Sequence, residues 1–203
     1  MNEAIQSVFE GLDEAKRQAI LETVPAEHRD HVANTPFGLM VRNLAKPGEK
    51  ILETLTDDRL NTVMAALGFI VGASDELDAI KKVCIYNKEN PAVNLHVSGP
   101  YKAADVTVDQ AHLLHMTVGV VGEAGELADA IGKHIVGDEL DVENVREEVG
   151  DLLFYLQGII GHLGISLEEV IMANKAKLLG KRYASGGYTD AAAQARADKP
   201  QGV

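Results

Sequence analysis

Two consecutive segments set the fold: VTVDQAHLLHMTVGVVGEAGELADAIGK (residues 106–133) and VENVREEVGDLLFYLQGIIGHL (residues 142–163). Apolar residues recur three or four positions apart in both segments, which is typical of amphipathic α-helices. In the first segment Thr107, with Gln110 three positions later, predicts a capping box at the helix start. The loop between the segments is short and polar, so the two helices should pack antiparallel against each other.

Each of these helices carries two acidic residues three positions apart. The pairs are Glu123 with Glu126 and Glu148 with Asp151, so both members of a pair lie on one face of the helix. Their neighbours are mostly apolar or small, and acids on faces that should also be buried repel one another and lose hydration. A hard divalent cation resolves this conflict, because carboxylates are the ligands that Mg²⁺ takes. We therefore predict that these four acids are metal ligands for Mg²⁺, with Mn²⁺ as the alternative ion.

The lengths of the two helices decide whether the acid pairs can meet. Six positions separate Glu126 from Gly132, and six separate Val142 from Glu148, roughly 9 Å of helix in each case. The two acid pairs therefore lie equally far from the loop if the first helix ends near Gly132. We predict that it ends near residues 132–134.

Two other interpretations of the acids are open at this point. A solvated acidic face suits the polar loop but fits Glu123 poorly, because Val120 and Val121 lie beside it. A di-iron or di-manganese carboxylate bundle needs Glu-x-x-His on two helices. Neither Glu123 nor Glu148 has a histidine three residues later, which argues against that kind of site.

Helical spacing extends through most of the remaining chain. Residues 2–24 and 26–33 favour helices. A further helix capped by Asp57 or Asp58 is expected to run through about Tyr86. Others are expected to start at Asp141 or Glu143 and at Ser166, which forms a second capping box with Glu169. The last of these should reach about Arg182, and the only strand-like fragment is Val93–Val97.

The charge and cysteine content bound the partners of the protein. The net charge is −12, from 31 acids and 19 bases, which argues against nucleic acid or anionic membranes as partners. The single cysteine excludes a disulfide framework and favours a reducing setting. The charged start has no secretory signal, and the most apolar stretch, residues 63–73, is about half a membrane span. We expect a cytoplasmic protein.

The chain divides by composition into three parts. We assign residues 1–100 to an N-terminal helical extension, residues 101–190 to a helical module that carries both acid pairs and residues 191–203 to a tail. Shifted by 51 residues, residues 55–82 align without a gap on residues 106–133, and both end in Asp-Ala-Ile-x-Lys. This indicates a decayed internal repeat within 55–89, with chance similarity of two amphipathic helices as the alternative.

Three runs carry a family resemblance: LLHMTVGVVGEAGELADAI, ENVREEVGDLLFYL and ISLEEVIMANKAKLLGKRY. They join an E-x-x-E and an E-x-x-D motif to a later N-x-x-K-L…R-Y segment. Over about residues 106–190 the sequence therefore resembles the MazG-like all-α nucleoside triphosphate pyrophosphohydrolases, most closely the phage and bacterial stand-alone type. The resemblance implies an antiparallel helix bundle and Mg²⁺-dependent hydrolysis of an NTP or dNTP to the monophosphate and pyrophosphate.

The resemblance also assigns residue roles. It implies that the metal ligands are Glu123, Glu126, Glu148 and Asp151, and that the substrate contacts include Asn174, Lys177, Arg182 and Tyr183. Lys133 is a further candidate for binding the substrate phosphates, although cations near a helix end also complement its dipole and face water. Glu147 is a spare carboxylate, either a general base or a solvent-side acid.

These assignments define one leading function and two alternatives. The leading function is an enzyme that acts on a small-molecule nucleotide, and one alternative is phosphoribosyl-ATP pyrophosphohydrolase. The other is a non-catalytic helical interaction module, which the presence of all four acids argues against. We expect a homodimer, with a tetramer as the alternative, because a two- or three-helix module cannot bury its apolar face alone.

Overall fold

The computed structural model describes residues 36–95, 99–100, 102–184, 186–195 and 198, together with positions 15, 18, 19 and 22. The helices predicted at 2–24 and 26–33 lie outside these residues, apart from those isolated positions. The chain forms two compact units, Thr56–Leu167 and the combination of Met1–Leu55 with Glu168–Val203. The predicted division at residues 100 and 190 stays a prediction.

Helices dominate the part of the chain that the structure describes. They are α1 (Pro36–Leu44), α2 (Gly48–Leu52), α3 (Asp57–Cys84), α4 (Val108–Ile135), α5 (Val142–His162), α6 (Leu167–Lys177) and α7 (Asp190–Ala195). A 3₁₀ turn at Ala103–Asp105 precedes α4, and a π-helical turn over Leu178–Arg182 continues α6. The described residues contain no strand, so the predicted all-α class is confirmed and the strand expected at Val93–Val97 is wrong for residues 93–95.

The sequence signals for the starts of α4 and α5 are confirmed. The Thr107 hydroxyl accepts a hydrogen bond from the Gln110 N–H at 3.2 Å, and the Gln110 side chain accepts one from the Thr107 N–H at 2.9 Å. Asp141 caps α5 by accepting from the Asn144 N–H at 3.0 Å. Helix α4 ends at Ile135, one residue beyond the predicted window.

Helix α3 starts one residue earlier than the sequence suggested. Its cap is Thr56, whose hydroxyl accepts from the Arg59 N–H at 3.3 Å, rather than Asp57 or Asp58. Helices α3 and α4 each follow a capping threonine, and they begin and end at positions 51 residues apart. This agreement in length fits the predicted repeat, which stays a prediction.

Within the unit Thr56–Leu167, α4 lies between α3 and α5 and runs antiparallel to both. On the α3 side, the buried Ser74 hydroxyl donates to the carbonyl oxygens of Val121 at 3.1 Å and Gly122 at 2.9 Å. A Cβ atom at Gly125 would lie 2.0 Å from the Ser74 Oγ, so the two helices approach where neither carries a large side chain. This close approach fixes the register of α3 against the acidic face of α4.

Glycines also set the packing of α4 against α5. A Cβ atom at Gly119 would lie 2.2 Å from the Tyr155 ring, and one at Gly158 would lie 2.2 Å from the Met116 Sδ. Each glycine therefore accepts a large side chain of the opposite helix. The result is an antiparallel hairpin, as the short loop predicted, with its acid pairs at matching heights.

The other unit has a small core of its own. Met40, Leu44 and Tyr183 are buried together, and the Asn43 side chain donates to the Gly186 carbonyl oxygen at 2.8 Å. Helices α1 and α7 and the π-helical turn contribute to this core. No single described helix is long and apolar enough to cross a membrane, although α5 and the bent stretch after it pass that test together.

Candidate active site

Three of the four predicted ligands converge. Glu123 and Glu126 of α4 and Glu148 of α5 each offer one carboxylate oxygen, and these oxygens lie within 4.8 Å of one another. Glu123 is 8% exposed and Glu148 is 6% exposed, whereas Glu126 faces solvent. Two buried carboxylates therefore share a small space with a third that is open to water.

The electrostatics of the cluster match its geometry. Burial, followed by the neighbouring charges of Glu126 and Glu123, raises the pKa of Glu148 to about 7. Burial, followed by the charge of Glu123, also raises the pKa of Glu126. Without a cation, the protein thus holds acids together that disfavour each other's ionised form.

The donor set fits a small divalent cation. Two oxygens bound to one Mg²⁺ at about 2.1 Å lie about 3 Å apart when adjacent and about 4.2 Å apart when opposite. The 4.8 Å limit of the cluster is close to this spacing, so a modest inward movement of the side chains brings three oxygens onto one ion. Mg²⁺ commonly takes few protein carboxylates and leaves its other positions to water and phosphate.

The other two acids of α5 lie outside this trio. Asp151 and Glu147 are exposed, and the geometric group of three does not include either of them. Both are near enough for their charges to raise the pKa of Glu148. Asp151 lies one turn after Glu148, on the face that the i, i+3 spacing predicted.

A lysine that the sequence analysis did not single out lies beside the cluster. Lys81 of α3 is 5% exposed, and its Nζ lies 2.8 Å from Asp78 Oδ1 and 3.6 Å from Glu123 Oε1. Lys82 also forms an ion pair with Asp78. In the sequence, Asp78 and Lys81 look like an ordinary surface pair at i, i+3, and only the packing of α3 on α4 reveals that they are inside.

A group of aromatic and histidine side chains also lies near Lys81. The Lys81 Nζ lies 5.6 Å from the centre of the Tyr155 ring. The Tyr86 hydroxyl is 2.8 Å from the His115 Nε2 and 3.4 Å from the Tyr155 hydroxyl. Burial, followed by the hydrogen bond with Tyr86, raises the pKa of Tyr155 to about 12, so this group stays neutral at physiological pH.

The residues expected to contact the substrate are outside the group of three acids. Lys133 lies at the end of α4 with its side chain 62% exposed, and it forms an ion pair with Asp129 at 2.5 Å. Asn174 and Lys177 lie on α6, in the other compact unit from the acids. Their roles stay predictions.

Arg182 and Tyr183, the last two candidate substrate contacts, interact with other residues of their own compact unit. Arg182 makes two hydrogen bonds to Asp198, at 2.5 and 2.7 Å. Tyr183 is buried in the core with Met40 and Leu44. A contact of Tyr183 with a substrate therefore needs a change in this packing, whereas the guanidinium of Arg182 has N–H groups that these two hydrogen bonds do not use.

Comparison with known proteins identifies the segment that carries the acids. Residues 111–183 match the family model of the MazG nucleotide pyrophosphohydrolase domain. The chain is also similar to the Gene 37 protein of Mycobacterium phage L5, with 32% identity over 76 residues, 34% of this chain and 66% of that protein. No solved structure matches the chain significantly. The acids of the cluster therefore lie within the segment that matches the MazG nucleotide pyrophosphohydrolase domain.

Proposed function

We propose that this protein hydrolyses a nucleoside or deoxynucleoside triphosphate to the monophosphate and pyrophosphate, with Mg²⁺ bound by its acid cluster. The observation that carries the proposal is the convergence of Glu123, Glu126 and Glu148 inside the MazG domain. Mn²⁺ has the same ligand preference and is the alternative ion.

The charges of the site explain why a cation is required. A triphosphate and the acid cluster are both negative, so they repel each other unless a cation lies between them. When bound, a divalent cation polarises a phosphoryl oxygen and orients a water molecule for attack at phosphorus. In this proposal the carboxylates of Glu123, Glu126 and Glu148 would hold that ion, and Glu147 acts as the general base that accepts a proton from the attacking water.

Cationic and polar side chains complete the proposed site. Lys177 and Arg182 stabilise the charge that spreads over the phosphate oxygens, and Lys133 supplies a further cation at the end of α4. Asn174 and Tyr183 contact the substrate. This part of the proposal rests on the match of the sequence to the family motif.

A pyrophosphate-release assay tests the function. The full chain is incubated with each of the eight common NTPs and dNTPs, with Mg²⁺ and then with EDTA. We expect hydrolysis of at least one nucleotide, its loss in EDTA, and a fall of at least about 100-fold for Glu126→Gln. Glu143→Gln is the matched control, because Glu143 is an exposed acid paired with Arg146 on α5. A folded protein that hydrolyses none of the nucleotides contradicts the proposal and favours an interaction module.

Asp151 is the proposed fourth ligand. It lies one turn after Glu148 on the same face of α5, and its charge is near enough to raise the pKa of Glu148. We expect Asp151→Asn to lower the rate by a factor similar to Glu126→Gln. A rate near that of the wild type removes Asp151 from the ligand set and leaves the three converged acids in place.

A further inference from the structure

Helix α3 lies before the segment that matches the family model, yet it packs closely on the acidic face of α4. The family match begins at residue 111, whereas α3 spans Asp57–Cys84. Ser74 of α3 is 2% exposed and donates to the carbonyl oxygens of Val121 and Gly122, just before the first acid of the cluster. The position of α3 is therefore fixed next to Glu123.

This register places the side chain of one lysine, Lys81, against the acids. Lys81 lies seven residues after Ser74, two helical turns along the same face, so it also points at α4. Its side chain is 5% exposed, and its Nζ lies 3.6 Å from the Glu123 Oε1. A Cβ atom at Gly122 would lie in ordinary van der Waals contact with the Lys81 Nζ, at 3.6 Å, so the end of this side chain lies directly against α4.

Asp78 holds the lysine in this position. The distance between Lys81 Nζ and Asp78 Oδ1 is 2.8 Å, a direct charge-assisted hydrogen bond. The longer distance from Lys81 Nζ to Glu123 is an electrostatic contact, which leaves the lone pairs of that carboxylate for another partner. Lys81 thus restricts the orientation of the Glu123 carboxylate and leaves its oxygen lone pairs available to a metal ion.

The negative charges of this group outnumber its positive charges. Lys81 and Lys82 contribute two positive charges, against five negative charges from Asp78, Glu123, Glu126, Glu148 and Asp151, the proposed fourth ligand. The group therefore keeps an excess of negative charge for a divalent cation although Lys81 lies beside Glu123.

We propose that Lys81 is a positioning residue that holds the Glu123 carboxylate in place for the divalent cation, so that α3 is part of the metal site. This inference rests on the proposed function, because it takes the acid cluster as the metal site. Residues that hold a ligating carboxylate in orientation typically change metal affinity by about 10- to 100-fold when they are replaced.

Binding of Mn²⁺ to the full chain, followed by electron paramagnetic resonance, tests the proposal without any substrate. We expect Lys81→Met to weaken Mn²⁺ binding by about 10-fold or more and Lys81→Arg, which keeps the charge and the donor, to restore most of it. Lys82→Met is the matched control, since it removes the same charge one residue later from a side chain that is 51% exposed.

The control separates orientation from charge. Loss of a positive charge by itself favours binding of a cation, so we expect Lys82→Met to bind Mn²⁺ as tightly as the wild type or slightly more tightly. Mn²⁺ binding by folded Lys81→Met that equals or exceeds that of the wild type overturns the proposal. Should Lys81→Met fail to fold, Lys81→Gln, which keeps a donor for Asp78 without the charge, carries the same expectation and the same contrary result.

The outcome also distinguishes this inference from the proposed function. A wild-type chain that binds Mn²⁺ and hydrolyses a nucleotide, while Lys81→Met binds Mn²⁺ equally well, contradicts only the role of Lys81. A folded wild-type chain that binds no Mn²⁺ contradicts both.

Discussion

Glu148 shows how one residue links the stability of the metal-free protein to its chemistry. Its side chain is 6% exposed and its pKa is raised to about 7 by burial and by the neighbouring acids. Ionisation of this carboxyl therefore opposes folding when no cation is present, and a cation turns the same charge into a binding interaction. A residue of this kind is expected to favour function over stability.

Replacing Glu148 by the isosteric amide should separate these two effects. We expect Glu148→Gln to raise the melting temperature in EDTA at about pH 8, because it removes an ionised carboxylate from beside Glu123 and Glu126. The same variant should lose at least about 100-fold in pyrophosphate release, because one ligand is gone. Thermal denaturation and the hydrolysis assay measure the two effects. A lower melting temperature than the wild type in EDTA contradicts the stability part.

The raised pKa of Glu148 also predicts how stability depends on pH. The folded-state pKa of about 7 lies above the ordinary value of 4.5, so between these values the folded protein binds more protons than the unfolded chain. Without divalent cations, the free energy of unfolding should therefore contain a contribution that falls as pH rises from about 4.5 and levels off above about 7. Charges of Glu126, Glu123, Glu147 and Asp151 face this group and add to the effect.

Chemical denaturation at several pH values in EDTA measures this slope. Addition of Mg²⁺ should reduce the slope, because the ion binds the ionised form. Comparison with Glu148→Gln isolates the contribution of this carboxyl from that of every other titrating group. Identical slopes for the variant and the wild type contradict the assignment.

At the level of elements, the contact of α3 with α4 depends on a glycine. A Cβ atom at Gly125 would lie 2.0 Å from Ser74 Oγ and 2.1 Å from Ser74 Cβ, so it cannot fit without moving a helix. We expect Gly125→Ala to destabilise the fold by about 1–3 kcal/mol, as overpacking usually does. Urea denaturation measures the change.

Two further variants make this prediction specific. Gly161 lies in α5 with nothing in the described part of the chain within 4 Å of a Cβ atom, so Gly161→Ala should raise stability by about 0.5–1 kcal/mol. Adding Ser74→Gly to Gly125→Ala removes the clashing side chain and should recover part of the loss. Equal effects of Gly125→Ala and Gly161→Ala contradict the close contact.

Local signals explain what the sequence predicted about these elements. Caps act over three or four residues, which is why Thr107 and Asp141 located the starts of α4 and α5. Helix spacing predicted that Glu123, Glu126 and Glu148 lie together, because in an antiparallel hairpin residues at equal distances from the loop face each other. The end of α4 at Ile135 lies beyond the window because the helix runs to a left-handed turn at Gly137.

Contacts between distant segments explain what the sequence could not predict. The inward position of Lys81 depends on the contact of Ser74 with Gly122 and Gly125, residues about 50 positions away. The burial of Tyr183 with Met40 and Leu44 likewise depends on a segment far away in the sequence, and Arg182 pairs with Asp198, 16 positions later and outside its own helical turn. A pattern within one helix carries no information about such partners.

At the level of the whole molecule, the apolar surface of helices α3 to α5 is the main unexplained feature. Phe69 on α3 is 82% exposed, and Phe154 on α5 is 65% exposed. Large apolar surfaces on single chains commonly mark sites of association, and a stable interface buries about 1,600 Å² in total. These side chains support the proposal that the protein is a homodimer.

Light scattering coupled to size-exclusion chromatography tests the dimer, because one chain has a mass of 21.8 kDa and two chains have about 43.6 kDa. We expect the larger mass for the wild type and a shift toward the monomer for Phe69→Asp or Phe154→Asp, since a buried aromatic side chain often dominates an interface. Leu52→Asp is the matched control: Leu52 is 70% exposed but lies on α2, in the other compact unit, so its replacement should leave the mass unchanged.

A monomeric wild type contradicts the dimer, and a mass near 87 kDa, four times the 21.8 kDa chain, favours the tetramer instead. If the dimer also buries part of the acidic face, the Phe154 variant will lose hydrolysis together with assembly, whereas an interface remote from Glu123 will leave the rate per chain unchanged.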